Sequence, residues 1–436
     1  MGNMRITPSI LEGRVQVPPS KSLAHRAVIC AALADGTSRI ENIDLSDDIR
    51  ATSMAMLPLG VRLRREGSAL AVAGVGGRKR EEDLCSATVH CMESGSTLRF
   101  LIPVLLAAGL ERVTFTGRGK LGSRPLDPYY DIFRQQGIGW RAAEGGVLDL
   151  TVEGQLKPAV YTLPGNVSSQ FITGLLLALP LLSGSSEIQL TTGLESAGYL
   201  DLTLSVMERF GVGLSYDGDR RFVIPGGQKY RPTGYRVEGD YSQGAFFLVA
   251  GALGSRVEVA DLPAGSLQGD RAAAEILERM GTVLTRSGDS LSARPGPEGL
   301  SAAIIDASDC PDIIPVLAVA AALAKGTTRI VNAGRLRIKE CDRLHAVAQE
   351  LNRLGGRVEE HPDSLVIHGV EQLEGGCTVW SHRDHRIAMS LAVAATRCRH
   401  PVVIKDWECV SKSYPEFFED YAGLGGRIAR EDGCSA

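Results

Sequence analysis

Ala31-Ala32-Leu33-Ala34-Asp35-Gly36-Thr37-Ser38-Arg39-Ile40-Glu41-Asn42 is matched by Ala321-Ala322-Leu323-Ala324-Lys325-Gly326-Thr327-Thr328-Arg329-Ile330-Val331-Asn332 at nine of twelve positions. In both copies an Ala/Leu-rich helical run ends near a glycine, as a left-handed C-cap prefers, and an alternating β-branched strand follows. The same pattern recurs around Gly109, Gly184 and Gly254, and without glycine around Arg399, at spacings of 73, 75, 70, 72 and 73. A second helix ending in an apolar residue plus glycine recurs at Gly60, Gly137, Gly211, Gly281, Gly355 and Gly425, at spacings of 77, 74, 70, 74 and 70. Two independent markers on one beat define six units of roughly 72 residues. Each reads as strand, helix, strand, helix and then a hairpin, such as Val212–Tyr216 with Phe222–Pro225. Six units are too few and too long for an ordinary solenoid, and the strong match between the first and the fifth favours two globular halves of three units.

Composition agrees with an α/β protein of ordinary solubility. Of 436 residues 44% are apolar and 22% charged, which argues against disorder and membrane residence. There are 50 glycines but only 5% aromatics, which points to tight turns and small-residue packing rather than base-stacking platforms. With 47 Lys and Arg against 51 Asp and Glu, a net charge of −4 makes nucleic acid a poor partner. The longest mostly apolar run, Phe171–Leu182, reads as a helix, and its twelve residues are too short to span a bilayer. The start Met1-Gly2-Asn3-Met4-Arg5 has no apolar signal core, and the nine scattered cysteines form neither a C-x-x-C pair nor a zinc-like grouping. A reduced, cytoplasmic setting without a metal is expected.

A domain boundary is expected where Lys229-Tyr230-Arg231-Pro232-Thr233-Gly234 leads into Glu238-Gly239-Asp240, with a second crossover at Val17-Pro18-Pro19. The domains are then 19–238, and 1–18 together with 239–436. Two crossings between two domains form a hinge, and a cleft there is a natural place for a ligand.

Within each unit the first helix starts at a cluster of small polar and charged residues, near 20, 94, 168, 241, 311 and 384. These are Pro19-Ser20-Lys21-Ser22, Glu93-Ser94-Gly95-Ser96-Thr97, Asn166-Val167-Ser168-Ser169-Gln170, Asp240-Tyr241-Ser242-Gln243, Asp309-Cys310-Pro311-Asp312 and Arg383-Asp384-His385-Arg386. For a single helix, plain N-capping explains such residues. Six in register are better read as anion sites, because exposed N–H groups and the positive helix end then recur on one face of each domain. Ser22 and Arg26 stand four apart, so with Lys21 they reach one phosphate; Ser168-Ser169-Gln170 offers hydroxyls and an amide. An arginine from Lys339-Glu340-Cys341-Asp342-Arg343 and one from Asp384-His385-Arg386 suit a carboxylate or phosphate, with Glu340 placed for proton transfer. Gly117-Arg118-Gly119-Lys120-Leu121-Gly122 follows a strand at Val113–Thr116 and satisfies G-x-G-x-x-G, but Arg124-Pro125 delays any helix to about Asp127, so it is no dinucleotide site.

Pro19-Ser20-Lys21-Ser22 with Arg26, Ser94-Gly95-Ser96-Thr97-Leu98-Arg99, Ser123-Arg124-Pro125, Val167-Ser168-Ser169-Gln170-Phe171, Lys339-Glu340-Cys341-Asp342-Arg343-Leu344 and Asp384-His385-Arg386-Ile387-Ala388-Met389 resemble, in this order, the enolpyruvyl transferase family, in its shikimate branch. The resemblance covers nearly the whole chain. It implies two similar domains, each of three βαβαββ units in an inside-out α/β barrel, with the active site in the interdomain cleft. It implies transfer of the enolpyruvyl group of phosphoenolpyruvate to the 5-hydroxyl of shikimate-3-phosphate, with release of phosphate, by a cytoplasmic monomer of the aromatic amino acid route that glyphosate targets. Shikimate-3-phosphate would be bound by Lys21, Ser22, Arg26, Ser168, Ser169, Gln170, Ser196, Tyr199 and Asp312, with Lys339 assisting. Phosphoenolpyruvate would be held by Lys21, Gly95, Arg124, Gln170, Arg343, Arg386 and Lys412. Catalysis would fall to Glu340 as proton shuttle at C3, Asp312 as partner of the attacking hydroxyl, and Lys21, His385 and Lys412 as charge stabilisers or relays. No cofactor or metal is implied.

Two positions depart from the family pattern. Glu93 stands where Asn is usual and would bring a carboxylate beside the phosphoenolpyruvate pocket; Arg335 stands where some members carry an Asn that touches the acceptor. The alternatives are the sister enzyme acting on UDP-N-acetylglucosamine and a catalytically silent binding paralogue. The sister typically carries a reactive Cys five residues before the Arg-Pro pair, and here that residue is Gly119.

Overall fold

The computed structural model describes residues 2–76, 86–143 and 145–431. The order of elements follows from how the six first helices are built. Tyr241–Ala252, Ile314–Ala322 and His385–Ala395 are buried along their whole length, and Lys21–Leu33 at all but its first two residues. A helix apolar on every side has no solvent face and belongs at the centre of a core. The strands are half-buried instead: Thr37–Glu41 and Thr327–Val331 bury alternate residues, which is what the pleat produces when one face is wet. Helices therefore form the inside and sheets the outside, the reverse of an ordinary barrel.

Among the described residues, six four-stranded sheets repeat one topology. In the second unit Ser86–His90 lies parallel to Arg112–Thr116, which pairs antiparallel with Asp149–Glu153, and that strand with Gly139–Ala142. The parallel step is the crossover through helix Gly95–Ala107; the antiparallel steps are helix return and hairpin. Each sheet is thus a βαβαββ unit.

Three units complete themselves with distant strands. Gly234–Arg236 supplies the leading strand of the first unit, parallel to Thr37–Glu41. Glu12–Gln16 does the same for the fourth, parallel to Arg256–Ala260. Asn3–Thr7 fills the sixth, antiparallel to both Val402–Lys405 and Arg427–Glu431. Two compact units result, Pro19–Val237, and Met1–Pro18 with Glu238–Ala436, each enclosing its own apolar core.

The glycine beat has a conformational cause at its second marker. Gly60, Gly137, Gly211, Gly281, Gly355 and Gly425 have φ between 68° and 97°, the left-handed turn that ends each second helix. At the first marker the reading is corrected for Gly184, which is not among the residues of positive φ. The expected helix Phe171–Leu182 is also shorter: it runs Ser169–Ala178, and Pro180 turns its end into the 3-10 segment Leu179–Leu181. The fifth first helix begins at Ile314 rather than near 311, because Asp312 turns its carboxylate to arginines instead of capping the helix. After Gly117–Gly122 the next α-helix is Asp127–Gln136.

Among the described residues no helix is long and apolar enough to cross a membrane, and no group of His, Cys, Asp and Glu has metal-site geometry. Seven cysteines are free thiols; Cys85 and Cys434 lie outside the described residues.

Candidate active site: two half-sites at helix starts

In the unit Pro19–Val237 three helix starts carry the relevant side chains. Gly95 opens its helix behind the cap Ser94, and a Cβ there would come 2.6 Å from Arg124 Nη1 and 3.7 Å from Gln170 Oε1. Only a hydrogen lets the backbone approach these two groups, so Gly95, Arg124 and Gln170 are brought together. Gln170 is held at both ends: Arg99 Nη1 donates to its Oε1 at 2.8 Å, and its Nε2 donates to Ser96 Oγ at 2.9 Å. Ser168 Oγ caps the same helix start by accepting from Gln170 N at 3.3 Å, and Ser169 is buried beside it.

Lys21 Nζ lies 3.0 Å from Asp48 Oδ2, a largely buried pair. Arg26 is buried and nearly saturated: Nε donates to Thr203 Oγ1 at 2.8 Å, Nη1 to the Ser22 carbonyl at 2.6 Å, and Nη2 to Thr173 Oγ1 at 3.4 Å and the Tyr199 carbonyl at 2.9 Å. Four of its five N–H groups are in use, so it ties Ser22 to Tyr199 and has one left for a ligand. Ser196, fully buried, precedes the helix Ala197–Arg209 at φ 60°. Glu93 leans its carboxylate onto Gly119, at the place a side chain at 119 would need.

In the other unit the centre is Arg343, 1% exposed and enclosed by three carboxylates. Nε donates to Asp384 Oδ2 at 2.7 Å, Nη1 to Asp312 Oδ1 at 2.8 Å, and Nη2 to Glu340 Oε2 at 2.9 Å and Asp384 Oδ1 at 3.3 Å. Arg386 Nη2 donates to Asp312 Oδ2 at 3.2 Å and to Ser242 Oγ at 3.0 Å, while its Nε and Nη1 are buried without a partner. Lys339 Nζ approaches Asp312 Oδ1 at 3.6 Å, and Lys412 Nζ approaches Glu340 Oε1 at 3.4 Å. His385 is buried with Nδ1 3.6 Å from Asp384 Oδ1.

Charge settles how these groups stand. Burial would raise the Asp312 carboxyl, but Arg386, Lys339 and Arg343 overturn that and hold it well below the usual carboxylate range, against Glu340. Burial pushes Lys339 down to about 8; Asp312 and Glu340 oppose the shift, and Arg335 and Arg343 add to it. Arg343 is lowered by burial but raised further by Asp384, Glu340 and Asp312, so its charge is permanent. Four cations, Lys339, Arg343, Arg386 and Lys412, face three carboxylates, Asp312, Glu340 and Asp384. Asp270 and Asp240 add further negative charge near Arg386, whose buried N–H groups can be satisfied by an anion.

The sequence names Arg99, Asp384 and Ser242 only within motifs, without a role of their own, and does not single out Asp48. Arg99 had a signal, a lone arginine inside the apolar run Leu98-Arg99-Phe100-Leu101, where a buried charge needs partners. Asp48, by contrast, is 27 residues from Lys21 and carries no local mark.

Comparison with known proteins agrees along the whole chain. The model of the family described as EPSP synthase (3-phosphoshikimate 1-carboxyvinyltransferase) matches residues 6–421. A 3-phosphoshikimate 1-carboxyvinyltransferase of Clostridioides difficile is 54% identical over 435 residues, 98% of each chain. One of Clostridium perfringens is 54% identical over 433 residues, 99% of this chain and all of that one. The solved EPSP synthase of Acinetobacter baumannii superposes with a TM-score of 0.81 at 27% identity over 99% of this chain and 100% of that one. The enolpyruvyl transferase NikO of Streptomyces tendae, at 20% identity, shares the fold with a TM-score of 0.80 over 99% of each chain.

Proposed function

Because the chain belongs to the EPSP synthase family, we propose that its own residues transfer the enolpyruvyl group of phosphoenolpyruvate to the 5-hydroxyl of shikimate-3-phosphate, in the shikimate pathway. The observation that carries the residue assignment is the division of Glu340 between Arg343 and Lys412. An anionic substrate competes for those same two cations and so releases Glu340 to act on the neighbouring carbon. Freed of those cations, Glu340 takes up a proton from solvent and gives it to C3 while the acceptor oxygen bonds to C2 and passes its proton to Asp312, whose arginines the substrate has also drawn away. The tetrahedral ketal then loses phosphate as C3 returns its proton to Glu340 and the proton on Asp312 passes to the departing phosphate. Arg343 and Arg386 hold the phosphoenolpyruvate carboxylate, and Arg124, Gln170, Lys21 and Lys412 hold its phosphate beside the Gly95 backbone. Ser22, Arg26, Ser168, Ser169, Ser196, Tyr199 and Lys339 bind the phosphorylated acceptor, and His385 steadies charge beside Asp384.

Phosphate release with both substrates tests this reading. Turnover with shikimate-3-phosphate and none with UDP-N-acetylglucosamine is expected; the reverse, or no turnover, overturns it. The reading also takes the single chain as the functional unit in the cytosol, and one mass in light scattering at micromolar concentration is the expected result.

A further inference from the structure

We propose that His25, which contributes to neither half-site, positions the helix start carrying Gly95 by heading a one-way hydrogen-bond chain through Thr52 and Thr97 to Ser94. The inference rests on the reading that Gly95 borders the phosphoenolpyruvate pocket.

All four residues are at most 1% exposed. His25 Nδ1 is 2.7 Å from Thr52 Oγ1, Thr52 Oγ1 is 2.6 Å from Thr97 Oγ1, and Thr97 Oγ1 donates to Ser94 Oγ at 2.9 Å. A hydroxyl has one hydrogen. Since Thr97 spends its own on Ser94, it accepts from Thr52, and Thr52, having spent its own, accepts from His25. The chain therefore runs one way and requires the Nδ1–H tautomer. Nε2 agrees, being buried with no partner, where a bare lone pair is less costly than an unmade N–H bond.

Burial keeps the imidazole neutral by pushing it down to about 3; Asp48 opposes the shift, and Lys21 and Arg26 add to it. At the other end Ser94 Oγ also accepts from Thr97 N at 3.2 Å, so the cap is fixed by two donors. Three helices are joined, Lys21–Leu33, Asp47–Ala55 and Gly95–Ala107. The residue after Ser94 is Gly95, against which Arg124 Nη1 packs so closely that it lies 2.6 Å from where a Cβ would stand, so a small shift of the cap alters the pocket.

Three variants separate this from plain packing. His25→Asn presents Nδ2–H where Nδ1–H stood, His25→Leu fills the space without a donor, and His25→Asp supplies only acceptors when ionised. Steady-state phosphate release should show the phosphoenolpyruvate KM within about twofold of wild type for Asn and raised about tenfold for Leu and Asp, with kcat and the shikimate-3-phosphate KM changed less than about threefold. If His25 only fills volume, Leu is the mildest variant and Asn the worst, which overturns the proposal. Nitrogen NMR of the wild-type chain is the second readout, and it stands even if a variant fails to fold. A protonated Nδ1 and bare Nε2 at His25, unchanged from about pH 8 to about pH 5, are expected; the opposite tautomer overturns the proposal. Should the wild-type chain release no phosphate from these substrates, the function reading fails while the NMR result still decides the chain.

Discussion

Asp384 takes Arg343 with both carboxylate oxygens, Oδ2 to Nε at 2.7 Å and Oδ1 to Nη2 at 3.3 Å, and with the same Oδ1 caps the helix that begins at His385 by accepting from Arg386 N at 2.9 Å. One buried carboxylate thus sets both arginines of the half-site. Removing it leaves Arg343 with an uncompensated share of its charge. Asp384→Ala should lose about 3 kcal/mol of stability in urea unfolding. Asp384→Asn keeps an acceptor for the cap, so it should retain more stability than Ala while raising the phosphoenolpyruvate KM. Equal loss in both variants would show that the charge, not the cap, matters.

Gly95→Ala places a methyl group 2.6 Å from Arg124 Nη1 and 3.7 Å from Gln170 Oε1. The guanidinium has to move, since the Cβ is anchored to a helix start. The phosphoenolpyruvate KM should rise by about tenfold or more, equivalent to about 1.4 kcal/mol, with the acceptor KM little changed. Steady-state kinetics with each substrate varied in turn measures the split.

Lys339 titrates at about 8, within reach of ordinary assays. Below that pH it is a cation and attracts an anionic acceptor; above it the charge is lost, so shikimate-3-phosphate affinity should fall as pH rises through about 8. Arg335 is one of the groups pushing Lys339 down. Arg335→Asn should therefore move the midpoint upward, as read by calorimetric titration between about pH 7 and about pH 10. An unmoved midpoint would separate the two residues.

Gly119 has φ 62°, and the space its side chain would need is taken by the Glu93 carboxylate. Gly119→Cys should therefore cost about 1–2 kcal/mol through backbone strain and collision. Glu93→Ala in the same chain should restore the part due to collision. Thermal unfolding of the two single variants and the double variant measures it; strict additivity would mean that the pair does not interact.

How far the chain is legible depends on the length scale of each cause. The six units are local: an Ala/Leu helix, a glycine turn and an alternating strand need only neighbouring residues, and the left-handed φ of Gly60, Gly137, Gly211, Gly281, Gly355 and Gly425 is the physical origin of the spacing. The caps Ser94, Ser168, Asp240 and Asp384 are equally local, since each accepts from a backbone N–H two or three residues on. The fifth first helix begins at Ile314, later than its local residues indicate, and Asp312 serves arginines 31 and 74 residues away instead of its own backbone.

The sequence by itself determined that this chain is six repeats in two sets of three, and its motifs placed the candidate site residues at helix starts, because repeat period and capping are short-range properties. Tertiary structure alone decided which charges meet. It gave Gln170 to Arg99 across 71 residues, Lys21 to Asp48 across 27, and turned Arg26 mostly inward onto Thr203 across 177. Nothing within a turn of any of these residues records its partner. The pairing follows from burying charged groups at the ends of packed helices, where each must find an opposite charge or a hydrogen-bond partner.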